Sequence, residues 1–213
     1  MSIAAHLTRA AAFAIGAASL SACAGSYTGP VEVTRFVAER PAALGEMLGQ
    51  GTITLDFPEE MQNQTARNAF AAAIADELSA LGYTVVLDGS AAAAQLATVR
   101  TSRNPLASEG SRGPVSVGVG GSTGSYGSGV GLGIGINLGG GQNGPTVLTD
   151  LAVRISLVGG ETLWEGRAQQ PVSLRSPYAD VDASARTLAA ALFKDFPGGN
   201  GETVSIDVDQ LQE

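Results

Sequence analysis

The sequence predicts an α+β fold: a single domain with a mainly antiparallel sheet, two helices packed on one face, and a glycine-rich hairpin insert. Two patterns carry this prediction. A β-α-β order runs from Thr52 to Leu87, and a long apolar–polar alternation over 147–158 folds back at a glycine pair. Because roughly seven strands accompany only two helices, and most strands follow one another as hairpins, both helices are expected on one sheet face.

The first half of the chain carries strands at Val31–Val37 and Thr52–Phe57, followed by a helix over Gln62–Leu81. Apolar residues at helical spacing define the buried side of that helix. Gly82 follows it, at the position where helices often end in a left-handed residue. A strand at Tyr83–Leu87 completes the unit. The helix stripe consists of Phe70, Ile74, Leu78 and Leu81.

The second half begins with a strand at Ala91–Thr101, although its alanines would also suit the start of a helix. The alternation of Val147–Val158 predicts a half-buried strand. Gly159-Gly160 is typical of a two-residue hairpin turn. Its partner strand is Thr162–Gln169, and Trp164 within it is expected in the core or at its edge.

A second helix is predicted over Asp180–Phe193, with its apolar stripe formed by Val181, Ala185, Leu188 and Leu192. Asp180 and Asp182 lie near its start, where carboxylates cap free amides and suit the helix dipole. Pro197 and Gly198 are expected to end this helix. The alternation of Val204, Ile206 and Val208 predicts a closing strand, so the domain is placed at 31–208 with a tail at 209–213.

The amino terminus has the features of an export signal. Ala10–Leu20 is an apolar run of 11 residues, which is shorter than the ~20 that a membrane-spanning helix needs, and it matches the apolar region of a signal peptide. The run ends at Leu20, Ser21, Ala22 and Cys23, which resembles a bacterial lipobox.

The lipobox resemblance implies that residues 1–22 are removed and that the Cys23 thiol carries a lipid, with 23–30 as a tether. Ala24 after the cysteine, by resemblance to bacterial sorting rules, implies delivery to the outer membrane with the domain facing the periplasm. The alternative is an ordinary signal peptide with an incidental cysteine. The partner expected on this basis is the membrane, through the lipid at Cys23, where two or three acyl chains anchor a protein stably.

Composition excludes several function classes. The chain has 213 residues, 12 basic against 20 acidic residues, one histidine and one cysteine. Removing 1–22 would take His6 and Arg9 away, leaving 11 basic residues and no histidine. A Ser-His-Asp triad and a histidine-ligated zinc site are then impossible. Lys194, the only lysine, follows no phosphate-binding loop, and the acidity with no basic tract argues against nucleic acid.

The segment 113–144 is glycine-rich and uncharged, with 14 glycines in 32 residues. Val130, Leu132, Ile134, Ile136 and Leu138 alternate with glycine there, which is typical of a strand with one aliphatic and one bare face. Three interpretations stay open: a hairpin that extends the sheet, a segment that orders on a protein partner or on itself, and a membrane-inserted hairpin, disfavoured by its unpaired edges. A GxGxxG match at 139–144 precedes a strand rather than a helix, so it predicts no dinucleotide site.

Five short motifs are spread over most of residues 31–208. They are Val33-Thr34-Arg35-Phe36, Leu81-Gly82-Tyr83, Leu163-Trp164-Glu165-Gly166-Arg167-Ala168, Leu192-Phe193-Lys194-Asp195-Phe196-Pro197 and Gly201-Glu202-Thr203-Val204. Together they resemble the uncharacterised bacterial envelope-lipoprotein family catalogued as domain of unknown function 4136. The resemblance implies this fold and an envelope location, and it implies no active site, because that family has no assigned activity.

The sequence therefore predicts a membrane-anchored envelope lipoprotein that acts as a binding or envelope-organising module, with partner contact or self-association through 113–144. Neither catalytic residues nor a cofactor nor a metal site is assigned. An alternative is a carrier of a small apolar ligand, and a third hypothesis is an enzyme based on carboxylates. Asp207 and Asp209 would share a strand face and could hold Ca²⁺ loosely, but a solvated tail is the simpler interpretation.

Overall fold

The computed structural model describes residues 26–38, 47–58, 63–86, 93–106 and 145–211. The predicted signal peptide 1–22, the lipidation site Cys23 and the glycine-rich insert 113–144 lie outside these residues. Seven strands and two α-helices form one α+β domain, which confirms the predicted fold class. In chain order they are β1 (Val31–Val37), β2 (Gly51–Asp56), α1 (Gln64–Ala80), β3 (Tyr83–Val86), β4 (Gln95–Leu106), β5 (Thr146–Leu157), β6 (Thr162–Ser173), α2 (Val181–Phe193) and β7 (Thr203–Ile206).

The sheet has the order β3-β2-β4-β5-β6-β1-β7 and is mixed rather than purely antiparallel. β2 runs parallel to both of its neighbours, β3 and β4, and the other four pairings are antiparallel. A helical connection such as α1 returns the chain to the same end of the sheet, so β2 and β3 must be parallel. The antiparallel part is a meander of β4, β5 and β6 with β1 and β7 added at its side.

Helix α1 begins two residues after the predicted start and ends one residue before the predicted end. Asn63 caps it, with its Oδ1 accepting a hydrogen bond from the amide of Ala66 at 3.1 Å. Gly82 follows with a φ of 106°, which confirms the left-handed stop. A side chain there would also meet a backbone: an added Cβ would lie 2.6 Å from the carbonyl oxygen of Gly49.

Helix α2 begins at Val181, directly after its cap Asp180, and ends at Phe193 as predicted. The carboxylate of Asp180 accepts from the amides of Asp182 and Ala183, at 3.0 and 3.2 Å, which confirms the cap. The helix stops at Phe193, four residues before Pro197. The chain turns at Asp195, whose φ is 55°, so the left-handed turn ends the helix before the proline is reached.

Both helices pack on one face of the sheet, and the core lies between them and the strands. Trp164 is fully buried, as predicted. The buried apolar side chains alternate along the strands and follow one stripe on each helix, including Phe70, Ile74 and Leu78 on α1 and Ala185, Leu188 and Leu192 on α2, against Val33, Ile53, Leu151, Ile155 and Ala168 on the strands.

Three local features differ from the predictions. The amide of Leu157 donates to Glu161 O at 2.8 Å, so the hairpin connection has three residues rather than two. β7 ends at Ile206, because the chain turns into a 3-10 helix over Val208–Leu211. Residues 27–29, predicted to belong to a tether, are attached to β6: Thr28 bridges Val172, and the amide of Gly29 donates to Pro171 O at 2.9 Å.

Candidate functional site: the helix-free face of the sheet

Three motifs that are distant in sequence meet at one place in the fold. They are 33–36 on β1, 163–168 on β6, and 192–197 at the end of α2. β1 and β6 are neighbours, with Arg35 opposite Gly166 and Phe36 opposite Glu165. The end of α2 and the turn after it lie above this pair of strands, on the helix side. Because side chains alternate between the two faces of a strand, each of the two strand motifs has some side chains in the core and the others on the opposite, helix-free face.

The inward-facing side chains of these motifs bind the end of α2 to the sheet. The Arg35 guanidinium donates from Nε to Leu192 O at 2.9 Å, and from Nη2 to Ala191 O at 2.9 Å and Lys194 O at 2.8 Å. These are carbonyls at the C-terminal end of α2, which lack partners within the helix. Burial lowers the pKa of Arg35, and the nearby Asp195 carboxylate opposes that shift.

Aromatic rings fill the space beside Arg35. Trp164 stacks on Phe193 with ring centres 5.6 Å apart and contacts Phe196 at 5.2 Å. Its Nε1 donates to Pro197 O at 2.9 Å, so the buried indole N–H is satisfied. Gly166 lies directly beneath the indole, where no side chain fits. These inward residues hold the turn after α2 onto the sheet.

The outer half of the same motifs lines an open groove of about 210 Å³ on the helix-free face, called here the outer groove. Its walls come from β1, β4, β5 and β6, at the centre of the sheet rather than at an edge. The lining residues are Thr34, Phe36, Thr98, Arg100, Ala152, Val153, Arg154, Glu165, Gly166 and Arg167.

The register explains the shape of the outer groove. Arg100 on β4 and Arg167 on β6 are both opposite Ala152 on β5. The small side chain of Ala152 therefore leaves a depression between two arginines whose strands lie roughly 10 Å apart. In the next row, Arg154 is opposite both Thr98 and Glu165. Phe36, 47% exposed, stands beyond Glu165 at the rim.

Charge is concentrated on this face. Three arginines and one carboxylate line the groove, whereas the chain as a whole carries −8. Arg154 Nε lies 2.5 Å from Glu165 Oε1, and Arg167 Nη2 lies 2.6 Å from Asp150 Oδ2 at the groove margin. The same Asp150 oxygen accepts from Gln169 Nε2 at 2.5 Å. The outer groove is thus a locally basic surface on an acidic protein.

Two further grooves lie on the helix side, where α1 faces α2. They have volumes of about 350 and 270 Å³ and share Ala73, Asp76 and Arg186. Burial raises the pKa of Glu77 in the smaller groove, and the neighbouring Asp76 carboxylate raises it further. Asp76 is exposed and Glu77 is half-buried, so the two neighbouring carboxylates differ in their contact with solvent.

The residues predicted to carry lipid chemistry, Leu20, Ser21, Ala22 and Cys23, lie outside the described residues. The idea that Asp207 and Asp209 share a strand face is wrong, because β7 ends before Asp207 and Asp209 belongs to the following 3-10 helix. Within residues 26–211 as described, no three histidine, cysteine or acidic side chains come together in a way that could hold a metal ion. None of the described helices has both the length and the apolar composition needed to cross a bilayer.

The outer groove is not among the sites predicted from the sequence. The one local indication of it is that Arg154 lies on the polar side of the alternating strand 147–158. That the other arginines join it depends on the pairing of β4, β5 and β6, which is a property of the fold.

The chain matches neither a protein-family model nor a curated protein. Among solved structures it is similar to a PDZ domain protein from Parabacteroides distasonis ATCC 8503, at 17% identity and a TM-score of 0.45, over 92% of this chain and 42% of that one. It is also similar to the PelC dodecamer from Paraburkholderia phytofirmans, at 14% identity and a TM-score of 0.40, over 75% of this chain and 93% of that one. The chain spans about two fifths of the length of the PDZ domain protein. These distant likenesses carry no argument about function.

Proposed function

We propose that this protein is a lipid-anchored binding module of the bacterial envelope, and that the helix-free face of its sheet is the binding surface. The observation that carries the proposal is the outer groove: a basic, partly aromatic depression at the centre of a sheet face that none of the described helices covers. A single exposed phenylalanine is ordinary on a protein surface, but Phe36 lies beside three arginines that line one depression on an acidic protein.

The anchor in this proposal is the lipid on Cys23, with the domain at the outer membrane and facing the periplasm. Tyr27 is four residues after Cys23, and Ser173 donates its amide to Tyr27 O at 2.8 Å. Four residues span at most ~14 Å, so the Ser173 end of β6 would be held near the membrane. Arg167 lies five residues before Val172 along β6, roughly 17 Å away, which supports an outer groove open to the periplasm.

Two other hypotheses from the sequence receive less support. A carrier of a small apolar ligand would need space between the helices and the sheet, and that interface is filled by fully buried side chains such as Ile53, Leu151 and Trp164. A carboxylate-based enzyme would need converging acids, for which Asp76 and Glu77 in the helix-side groove are the nearest described pair. The proposal assigns no catalytic residue, cofactor or metal to the chain.

A protein contact or self-association through 113–144 is the second contact region we propose, separate from the one at the sheet face. Leu106 and Thr146, the last residue of β4 and the first of β5, are opposite each other in the antiparallel pair. Residues 107–145 can therefore be replaced by a short Asn-Gly hairpin turn without changing the register. This variant separates the insert from the sheet face as the site of partner contact.

The anchor is tested by comparing the natural chain with Cys23→Ser in its own host. We expect the natural chain in the outer-membrane fraction, with a mass increased by acyl chains after loss of 1–22, and the variant released into the soluble periplasmic fraction. An unmodified Cys23 in the mature protein would contradict the lipoprotein assignment.

The binding surface is tested by placing a photo-crosslinking phenylalanine analogue at one of two exposed apolar positions. Phe36 is 47% exposed on the groove rim, and Leu174 is 50% exposed at the end of the sheet where the insert is attached. We expect envelope partners to be captured from Phe36 and to persist after replacement of 107–145. Capture only from Leu174, and its loss with the insert, would place partner contact at the insert instead.

A further inference from the structure

We propose that the outer groove binds an acidic carbohydrate, with a sugar carboxylate held over Ala152 by the surrounding arginines. This inference rests on the proposed function, since it names the ligand class of the same surface. Four observations carry it: the arrangement of the arginines, the presence of an acceptor within the groove, the exposed aromatic ring and the position of the groove relative to the proposed anchor.

The arginines are placed to hold a carboxylate. Arg100 and Arg167 flank the depression at Ala152, and Arg154 is the next outward residue on the same strand as Ala152. A guanidinium carries five N–H donors, and the Glu165 carboxylate engages Arg154 through Nε. Asp150 engages Arg167 through Nε and Nη2. A carboxylate that enters the depression can receive charge-assisted hydrogen bonds from the other N–H groups without displacing either ion pair.

The other groups of the groove suit a ligand that also donates hydrogen bonds. Glu165 can accept a hydrogen bond from a sugar hydroxyl, a donor that a fully ionised simple anion lacks. Thr98 presents a hydroxyl on the same row, and the exposed ring of Phe36 offers an apolar surface for the face of a sugar. A mainly apolar wall with a few placed polar groups is the usual composition of a small-molecule site.

The size and the position of the groove favour one sugar unit of a soluble oligosaccharide as the ligand. Its volume of about 210 Å³ is below the ~300–1,000 Å³ of sites that enclose a drug-sized ligand, so it accommodates one monosaccharide-sized group while the rest of an oligomer lies across the open sheet. A phospholipid headgroup is less suitable, because Arg167 lies roughly 17 Å along β6 from Val172, where the chain that leads from the proposed anchor is attached. The acidic chain as a whole is also repelled by anionic lipid.

The test is calorimetric titration of the full chain, solubilised in detergent, with tetragalacturonate. The variant Arg100→Gln/Arg154→Gln removes two groove charges. Its matched control, Arg175→Gln/Arg186→Gln, removes two charges elsewhere and gives the same net charge. We expect the groove variant to weaken binding at least tenfold and the control to change it less than twofold. Maltotetraose, a neutral tetrasaccharide, is expected not to bind.

A second variant keeps the proposal testable if the arginine variant does not fold. Ala152→Leu keeps every charge but fills the depression, and it is expected to weaken tetragalacturonate binding by a similar factor. Equal affinity of the natural chain, both groove variants and the control would overturn the proposal, as would binding of maltotetraose with the affinity of tetragalacturonate.

Two further probes separate the other anionic partners. Tighter binding of hexaglutamate than of tetragalacturonate would replace the carbohydrate by an acidic peptide, and binding only to phosphatidylglycerol vesicles would replace it by a membrane surface. If no tetragalacturonate binds while crosslinks from Phe36 persist, the acidic carbohydrate is wrong and the proposed binding surface stands.

Discussion

Arg35 Nε lies 2.9 Å from the carbonyl oxygen of Leu192, so an arginine of the first strand closes the end of the second helix. The two residues are 157 positions apart in the chain. The turn after α2 encloses the same side chain, because Gly198 lies close enough that an added Cβ would be 2.6 Å from Arg35 Cδ. Arg35 therefore joins β1, α2 and this turn in one buried contact.

Arg35→Met is expected to destabilise the protein by about 3 kcal/mol, because it leaves carbonyl oxygens of Ala191, Leu192 and Lys194 without their charged donor. Arg35→Lys keeps the charge but loses the planar fork, so its cost should be smaller. The measurement is urea-induced unfolding followed by the fluorescence of the single tryptophan.

The matched control for this prediction is Arg175→Met. Arg175 is exposed, and surface substitutions usually change stability by less than about 0.5 kcal/mol. Equal costs for Arg35→Met and Arg175→Met would show that the buried contact of Arg35 does not stabilise the end of α2.

Gly166→Ala is expected to cost about 1–3 kcal/mol, the usual penalty for overpacking a core. The added Cβ would overlap the indole ring of Trp164 and lie 2.8 Å from Leu192 Cδ1. Gly199→Ala is the control, since its Cβ would meet only Glu202 Oε2 at 3.4 Å. Thermal unfolding midpoints compare the two, and a Gly166→Ala midpoint at or above that of Gly199→Ala would contradict the packing described beneath Trp164.

Glu77→Gln is expected to stabilise the protein at pH 7 relative to the natural chain, and not at pH 4. Burial and Asp76 raise the pKa of Glu77 above its ordinary value of 4.5. The folded state then holds the proton more tightly than the unfolded state, so the natural chain loses stability as pH rises from the ordinary value through the raised one. Glutamine does not ionise and avoids this loss.

The measurement for Glu77 is the free energy of unfolding in urea at both pH values. Asp76→Asn is the companion variant: removing the neighbouring charge should recover part of the same stability at pH 7. A Glu77→Gln protein that is less stable than the natural chain at pH 7 would show that the ionised carboxylate is favourably placed, contrary to the prediction.

The two ion pairs of the outer face are expected to differ in strength. Glu165, whose side chain is 43% exposed, pairs with Arg154 alone, whereas Asp150, at 12%, accepts from both Arg167 and Gln169. A double-mutant cycle on Arg154 and Glu165 should give about 0.2–1 kcal/mol, reduced in 1 M NaCl. Asp150→Ala should cost about 1–3 kcal/mol, because it leaves donors unpaired. A larger cost for Glu165→Ala than for Asp150→Ala would reverse this ranking.

The local pattern of the sequence was sufficient to predict the elements and their buried faces. The alternation along 147–158 and the helical stripe that ends at Gly82 depend on side chains a few residues apart, which interact in almost any fold that contains the element. The carboxylate cap at Asp180 is local in the same sense. The end of α2 at Phe193 was predicted, but the turn at Asp195 rather than Pro197 ends the helix. The distant residues Arg35 and Trp164 donate hydrogen bonds to this turn, at Lys194 O and Pro197 O.

By itself, the sequence determined the α+β class, the order of the elements and the absence of histidine chemistry after residue 22. Only the tertiary structure decided that β2 is parallel to β4, that β1 is inserted between β6 and β7, and that Arg100, Arg154 and Arg167 surround Ala152. The physical reason is that strand pairing depends on hydrogen bonds and side-chain contacts between residues far apart in the chain, such as Val33 and Ala168. Local propensity carries no information about which distant strand becomes the neighbour.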